Sequence, residues 1–241
     1  MSMDYKELGR KHQDQYPVGV GLVDEFVASL QKRNLLPKRF PQAEVDSKTV
    51  PELLTPITFS ERTKEVLISD GAVLYLPESK SLEDQKRLGR SFGYIVDASS
   101  RGFLALRARP IEVAIYPDPE RFFVPESFNK TKSHQEELQA DDARTLRQKL
   151  GVEDITEIMP EVPEAIEVIF EHYDKTGVRL TGMDFRYLYM RTNTPTNESG
   201  SHVADVGYFD DDGPRVADWL VVGIGPHLGA ARWVVPSQVE I

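Results

Sequence analysis

Histidine is the natural first residue to examine, because it changes charge near neutral pH and ligates metals. The chain has five: His12, His134, His172, His202 and His227. No two stand at the spacing of a helical metal pair, and no HExxH pattern occurs. His12 and His134 fall in polar stretches read as mobile. His172 falls on an acidic helix, where an exposed imidazole near the C-terminal end suits the helix dipole. No metal and no cofactor is expected. His202 and His227 lie in the strand-rich C-terminal region. In His202-Val203-Ala204-Asp205 the histidine and aspartate are three apart. On a strand, positions i and i+3 face opposite ways, so they form no His–Asp couple without a bulge. His227 sits in Gly223-Ile224-Gly225-Pro226-His227-Leu228-Gly229, where three glycines and a proline demand a tight, irregular loop. Such a loop can aim backbone N–H groups at an anion or present the imidazole. The competing reading is a structural turn whose histidine bonds to backbone. The spacing is not GxGxxG and no helix signal follows, which argues against a dinucleotide-phosphate fingerprint.

Other side chains support a site less directly. Arg232 could contact an anion beside His227 and an aspartate such as Asp205 or Asp218, which is the arrangement a hydrolase or transferase would need. Trp219 and Trp233 are the only tryptophans. Both fall in expected strands, as core packing or as an aromatic wall for a ligand. Alternation over Phe185 to Arg191 sets Phe185, Tyr187, Tyr189 and Arg191 on one face, three aromatics and an arginine suited to stacking on a planar ligand or to sheet packing. Asp210-Asp211-Asp212-Gly213 resembles a fragment of a calcium loop, but the remaining ligands and closing glutamate are missing, so it reads as a hairpin turn. Ser91 in Gly89-Arg90-Ser91-Phe92-Gly93 does not make a G-x-S-x-G elbow, and there is no P-loop. The absence of cysteine removes disulfides, thiolate nucleophiles and cysteine metal sites.

The elements expected to position these residues are few. Val23, Phe26, Val27 and Leu30 recur on one face of a helix over about Leu22 to Asn34, which Pro37 and Pro41 keep from continuing. A second helix is expected over Asp141 to Leu150, capped by Asp141 or Asp142 and ended by Gly151. A third runs from Pro163 to Lys175, with Ile166, Ile169, Phe170 and Tyr173 in one stripe and Gly177 at its end. A shorter one spans Ser81 to Leu88. Strands are expected over Glu65 to Ile68, Ala72 to Leu76, Phe92 to Asp97, Phe103 to Leu106 and Glu112 to Tyr116, with Ser69-Asp70-Gly71 as a hairpin turn. A C-terminal antiparallel meander is expected from Asp184 to Thr192, His202 to Phe209, Val216 to Val222 and Ala230 to Val235. Strand groups separated by helices point to an α+β fold rather than a βαβ repeat. The expected organisation is one domain over residues 1–241: a lead-in (1–60), a first strand group (61–120), a helix pair (138–177) and the meander (184–236).

Bulk composition bounds the partners. The 241 residues carry a net charge of −10. That balance repels phosphate backbones and makes nucleic acid an unfavoured partner. No apolar run approaches the roughly 18 residues of a membrane helix, and Met1 to Lys11 carries no signal-peptide core. A soluble, cytoplasmic protein is expected. The charge is uneven. Lys80 to Arg109 has seven basic and three acidic residues, while Gly151 to Asp174 has eight acidic residues and no lysine or arginine. These segments read as solvated faces, or as faces that attract each other within the chain or across a homodimer.

Three stretches together resemble a known family. They are Leu88-Gly89-Arg90-Ser91-Phe92-Gly93-Tyr94-Ile95-Val96-Asp97, Asp212-Gly213-Pro214-Arg215 and Gly225-Pro226-His227-Leu228-Gly229-Ala230-Ala231. Their order and spacing are similar to those of an uncharacterised bacterial family, mostly actinobacterial, described only as a domain of unknown function. The chain departs from it in lacking a cysteine and further tryptophans in the last strands. The resemblance implies a single-domain bacterial cytoplasmic protein and no particular activity. The leading expectation is a non-enzymatic module binding a small molecule or a protein, with His227, Arg232, Trp219, Tyr189, Arg191, His202 and Asp205 as contact candidates. The alternative is a hydrolase or transferase centred on His227.

Overall fold

Local signals at helix starts decide several elements. The structure, a computed structural model, describes residues 55–99, 102–182, 185 and 187–239. The helix expected over Leu22 to Asn34 lies outside them. Helix α1 (Glu61–Ser69) begins where Ser60 Oγ accepts from Thr63 N at 3.2 Å, and buries Thr63 and Leu67. The expected strand over Glu65 to Ile68 is therefore helix, and Ser69-Asp70-Gly71 is its exit rather than a hairpin. A four-residue apolar run cannot tell strand from helix by period alone; the serine cap and Glu61 in the first turn do. Strand β1 (Val73–Tyr75) follows. Helix α2 (Leu82–Arg87) opens on a reciprocal Ser81–Asp84 capping box. Strand β2 (Tyr94–Ile95) is shorter than expected. Phe103–Ala105 form a 3₁₀ turn instead of a strand, because Gly102 enters it at φ 75° and Phe103 tucks into the core. Strand β3 (Val113–Ile115) keeps its expected place.

Helix α3 (Lys132–Leu150) starts nine residues before the expected Asp141, at a Thr131 cap. His134 is thus in a helical first turn rather than a loose stretch. The inward positions of its first half are Gln135 and Gln139, so apolar periodicity could not reveal them. Gln135 Nε2 donates to Ser127 O (2.8 Å) and Leu228 O (3.1 Å), and Gln139 Nε2 to Ile158 O (3.0 Å) and Ala231 O (2.9 Å). Strand β4 (Ile155–Glu157) leads to helix α4 (Val162–Thr176), where Pro163 stands in the first turn and Gly177 (φ 73°) closes the end. Ten of the fifteen residues of α4 are buried. His172 is among them: it is 2% exposed, with Nδ1 2.6 Å from the Tyr75 hydroxyl, not an exposed helix-end residue. Burial pushes its pKa down.

The remaining strands are β5 (Tyr189–Pro195), β6 (His202–Asp210), β7 (Gly213–Leu220), β8 (Leu228–Gly229) and β9 (Val234–Pro236). A four-stranded antiparallel sheet has the order β1-β3-β9-β4, and a five-stranded mixed sheet the order β2-β7-β6-β5-β8. The β5–β6–β7 meander is antiparallel, turning at Asp210–Gly213, with parallel edge strands β2 on β7 and β8 on β5. Of the last expected strand, Ala230 to Val235, only Val234 and Val235 lie in a named strand, β9 of the four-stranded sheet; Leu228-Gly229, just ahead of it, joins the five-stranded one. β7 and β8 both run parallel to β5, so residues 221–227 must cross the sheet diagonally to connect them.

The described residues are α+β, with four helices and two sheets. Alternation sorts the core. On β3, Val113 and Ile115 join the larger apolar cluster, while Ala114 and Tyr116 join a second one with Leu67, Leu146 and Val234 under α1 and α3. In the larger cluster, Ala165, Ile166 and Ile169 of α4 meet Met190, Ala204, Val206 and Val216 of the five-stranded sheet. Burying an Ile or Phe side chain is worth about 1.5–3 kcal/mol, so α4 anchors one face of that sheet. Its other face is free of helix α4 and carries most of the candidate residues.

Candidate functional site: the outer face of the five-stranded sheet

Strand register sets Tyr189 and Arg191 of β5 against Gly207 and Asp205 of β6, which in turn face Arg215 and Ala217 of β7; Val203 pairs with Trp219. These positions share the face opposite Met190, Ala204 and Val206. Arg191 is fully buried. It reaches the crossover segment, donating from Nη1 to Leu220 O and from Nη2 to Gly223 O, each at 3.0 Å. Backbone bonds secure the same segment: Val221 N to Ser201 O (2.9 Å), Lys132 N to Val221 O (2.9 Å) and Asn129 N to Gly225 O (3.1 Å). Trp219 lies against it so closely that a Cβ on Gly223 would stand 2.5 Å from the indole Nε1. Trp219, Val222 and Ile224 remain 45%, 55% and 57% exposed. The crossover segment 221–227 is therefore a pinned ridge, and with Trp219 near the end of β7 it carries three exposed apolar side chains.

Asp205 lies under this ridge, 3% exposed and directly across from Arg191. Burial pushes its pKa up to about 8; Arg191 pulls it down, and Asp218 on β7 adds to the rise. Its Oδ1 is buried without a hydrogen-bond partner, as is Arg191 Nε, and no ion pair joins the two. Asp218 accepts instead from Thr196 Oγ1 at 3.2 Å. Burial likewise draws the Arg191 pKa down, offset in part by Asp205 and Glu136.

At the other end of the face, Tyr189 belongs to a tyrosine group. The Tyr187 and Tyr208 rings are 4.6 Å apart and Tyr189 and Tyr208 6.3 Å, with Arg215 Cζ 4.3 Å over Tyr208. Arg215 Nη2 also meets Asp210 Oδ2 at 3.3 Å. Tyr187 and Tyr208 both adopt positive φ (52° and 49°), and β6 has a register shift between Gly207 and Asp210. The quartet expected from alternation is thus rearranged. Phe185 leaves the face for the core beside Phe122 (5.4 Å), and Arg191 goes to the ridge. Tyr208 and Arg215 take their places, and a bulge of this kind leaves no mark in a hydrophobic pattern.

Two candidates stand apart. The His227 imidazole is exposed and makes no hydrogen bond among the described residues; only its carbonyl is engaged, accepting from Tyr189 N at 2.8 Å. Arg232 is occupied elsewhere, with Nε and Nη2 on Asp142 (2.6 and 3.0 Å) and Nη1 on Arg121 O (3.2 Å). Arg232 also stands 3.8 Å from Glu157, whose buried carboxyl has its pKa raised well above normal by desolvation and by Asp142. His227, Asp205 and Arg232 share no partner, so the arrangement a hydrolase would need is not assembled. His202 and Asp205 do not couple, as their spacing implies; His202 Nδ1 meets Asn197 (3.0 Å) and Ser201 (3.2 Å) and fastens the loop before β6.

Among the described residues no cluster of His, Asp and Glu is arranged to hold a metal. In Asp210-Asp211-Asp212, Asp210 caps Asp212 N (2.9 Å) and Asp211 pairs with Arg179 (2.7 Å), as a turn requires. The basic and acidic segments meet within the chain. Arg109 Nε bonds Glu164 at 2.5 Å, Arg90 Nη1 bonds Asp174 at 2.7 Å, and Glu167 accepts from Glu78 N at 2.6 Å and from Lys80 N. A depression of about 280 Å³ lies by β2, lined by Glu83, Val96, Asp97, Phe103 and Leu104, away from every candidate. No helix of the described residues is long and apolar enough to cross a membrane.

Comparison with protein-family models, with curated proteins and with solved structures finds no match. Residue roles here therefore rest on the geometry of this chain alone.

Proposed function

We propose that the protein is a non-enzymatic binding module that docks a protein partner on the ridge formed by Trp219, Val222 and Ile224. The observation that carries this reading is the joint exposure of three large apolar side chains on a segment held by a buried arginine. Large apolar groups on pinned backbone lose little entropy on association, and tryptophan is a favoured anchor in protein interfaces. Side chains about half exposed do not line an enclosing cleft, which a small-molecule site needs in order to bury most of its ligand. A protein partner with an apolar segment suits the ridge better.

The test is affinity capture from a lysate of the source organism, followed by titration of the captured protein in purified form. Trp219→Ala and Ile224→Asp should weaken binding at least thirtyfold, about 2 kcal/mol, while Leu88→Asp, at another exposed apolar position, should leave it unchanged. Equal loss in all three, or none, would count against the ridge. Self-association abolished by Ile224→Asp in light scattering would make a second copy the partner. A thermal shift with a small metabolite that survives Ile224→Asp would move function away from this face.

A further inference from the structure

We propose that Asp205 is a proton-operated latch for the crossover ridge, closed when its carboxyl is neutral and loosened when it is ionised. Arg191 is the clamp. Its two terminal nitrogens hold the carbonyls of Leu220 and Gly223, and these hydrogen bonds tie β5 to the segment that crosses the sheet. Asp205 is its direct neighbour on β6, with a fully buried oxygen that no donor satisfies. A neutral carboxyl in this setting makes no strong claim on the guanidinium. A buried carboxylate does, because an ionised group out of water needs a charge partner. The groups acting on the pair leave one candidate. Asp218 on β7 carries the same sign as the carboxylate and is itself bonded to Thr196, Tyr189 on β5 is a neutral phenol whose pKa is pushed up to about 12, first by burial, and Glu136 on α3 acts on Arg191 rather than on Asp205. Arg191 is the cation among them. Directly opposed positions on neighbouring strands lie within reach of each other, so ionisation turns the guanidinium from the carbonyls to the carboxylate and the ridge loses its clamp. The raised proton affinity of Asp205 places this change near neutral to mildly alkaline pH.

The latch is defined without any partner, so its test is independent of what the ridge binds. Trp219 is exposed and Trp233 is buried, so acrylamide quenching of tryptophan emission reports on Trp219. Between pH 6 and 9.5 the quenching constant should rise with a midpoint near pH 8, and hydrogen exchange across residues 221–227, corrected for intrinsic rates, should accelerate over the same range. Asp205→Asn should hold both readouts at their low-pH values. Asp218→Asn removes the like charge and should lower the midpoint, which keeps the idea testable if the Asp205 variant folds poorly. Arg191→Lys, unable to span both carbonyls, should show fast exchange at every pH. Readouts flat across the range in the wild type, or a titration that persists unchanged in Asp205→Asn, would overturn the proposal.

Discussion

A buried guanidinium whose two terminal nitrogens hold backbone carbonyls is more informative for what its loss exposes than for its own net worth. Removing Arg191 leaves Gly223 O without its donor and Leu220 O with Gly223 N alone, and an oxygen left without a donor costs about 1–3 kcal/mol. Arg191→Leu should therefore destabilise the protein by about 2–4 kcal/mol in urea unfolding, with the largest gain in hydrogen exchange at residues 221–227. Much of this face was legible in the sequence at this scale. Tyr189, Arg191, Asp205 and Trp219 were all singled out, and a strand period of two is enough to put Tyr189 and Arg191 on one side. Their convergence was not legible, because it depends on which strands pair. His227 was conspicuous for the glycines around it, yet Gly223 and Gly225 serve the close approach of Trp219 and Gly229 that of Phe123 and Phe128, and the imidazole is exposed. Tyr208 and Arg215 were missed because a bulge after Gly207 changes the alternation.

Among the elements, α3 shows how polar residues can hide a helix. A stripe of Gln135, Gln139, Ala143 and Leu146 is half amide, and its purpose is to satisfy carbonyls of the β8–β9 segment. Gln139→Leu keeps the bulk but leaves Ile158 O and Ala231 O without donors. A loss of about 2 kcal/mol is expected by denaturant titration, whereas Thr131→Ala, a cap alone, should lose about 1 kcal/mol. The β6–β7 turn gives a sharper case. Gly213 adopts φ 105°, and a Cβ there would stand 2.1 Å from Ser91 O. Gly213→Ala must strain the turn and push β2 off β7. Circular dichroism should show lost strand signal with Tm lowered by several degrees. Helices α2 and α4 were placed closely from sequence because their caps and closing glycines are local. The strand expected at Phe103 failed because burial of one phenylalanine, not alternation, fixes that turn.

For the molecule as a whole, buried acids should make stability fall with pH. Asp205 has a folded pKa near 8 against 3.8 when free, and Glu157 is raised in the same direction. The folded state thus binds more protons than the unfolded one between these limits. The contribution of Asp205 is favourable below about pH 4 and is progressively lost up to about pH 8, in total on the order of 4 kcal/mol by pH 7. Unfolding free energy measured from pH 5 to 8 should decline. Asp205→Asn should flatten that decline and gain about 1–4 kcal/mol at pH 8, with little gain at pH 4.5; Glu157→Gln should flatten it in the same direction. The α+β class was readable because elements are local; the division into two sheets was not, because pairings such as β3 with β9 join residues more than a hundred positions apart.

The segment Leu228–Pro236 takes part in both sheets, edging one at β8 and lying inside the other at β9. It acts as a mechanical splice. Neither sheet can come apart without pulling on a strand that the other needs, so partial unfolding of one sheet alone is suppressed. Calorimetry should return one transition for the two sheets together, with van't Hoff and calorimetric enthalpies equal. A flexible insertion between Ala231 and Val234 should divide that transition into two.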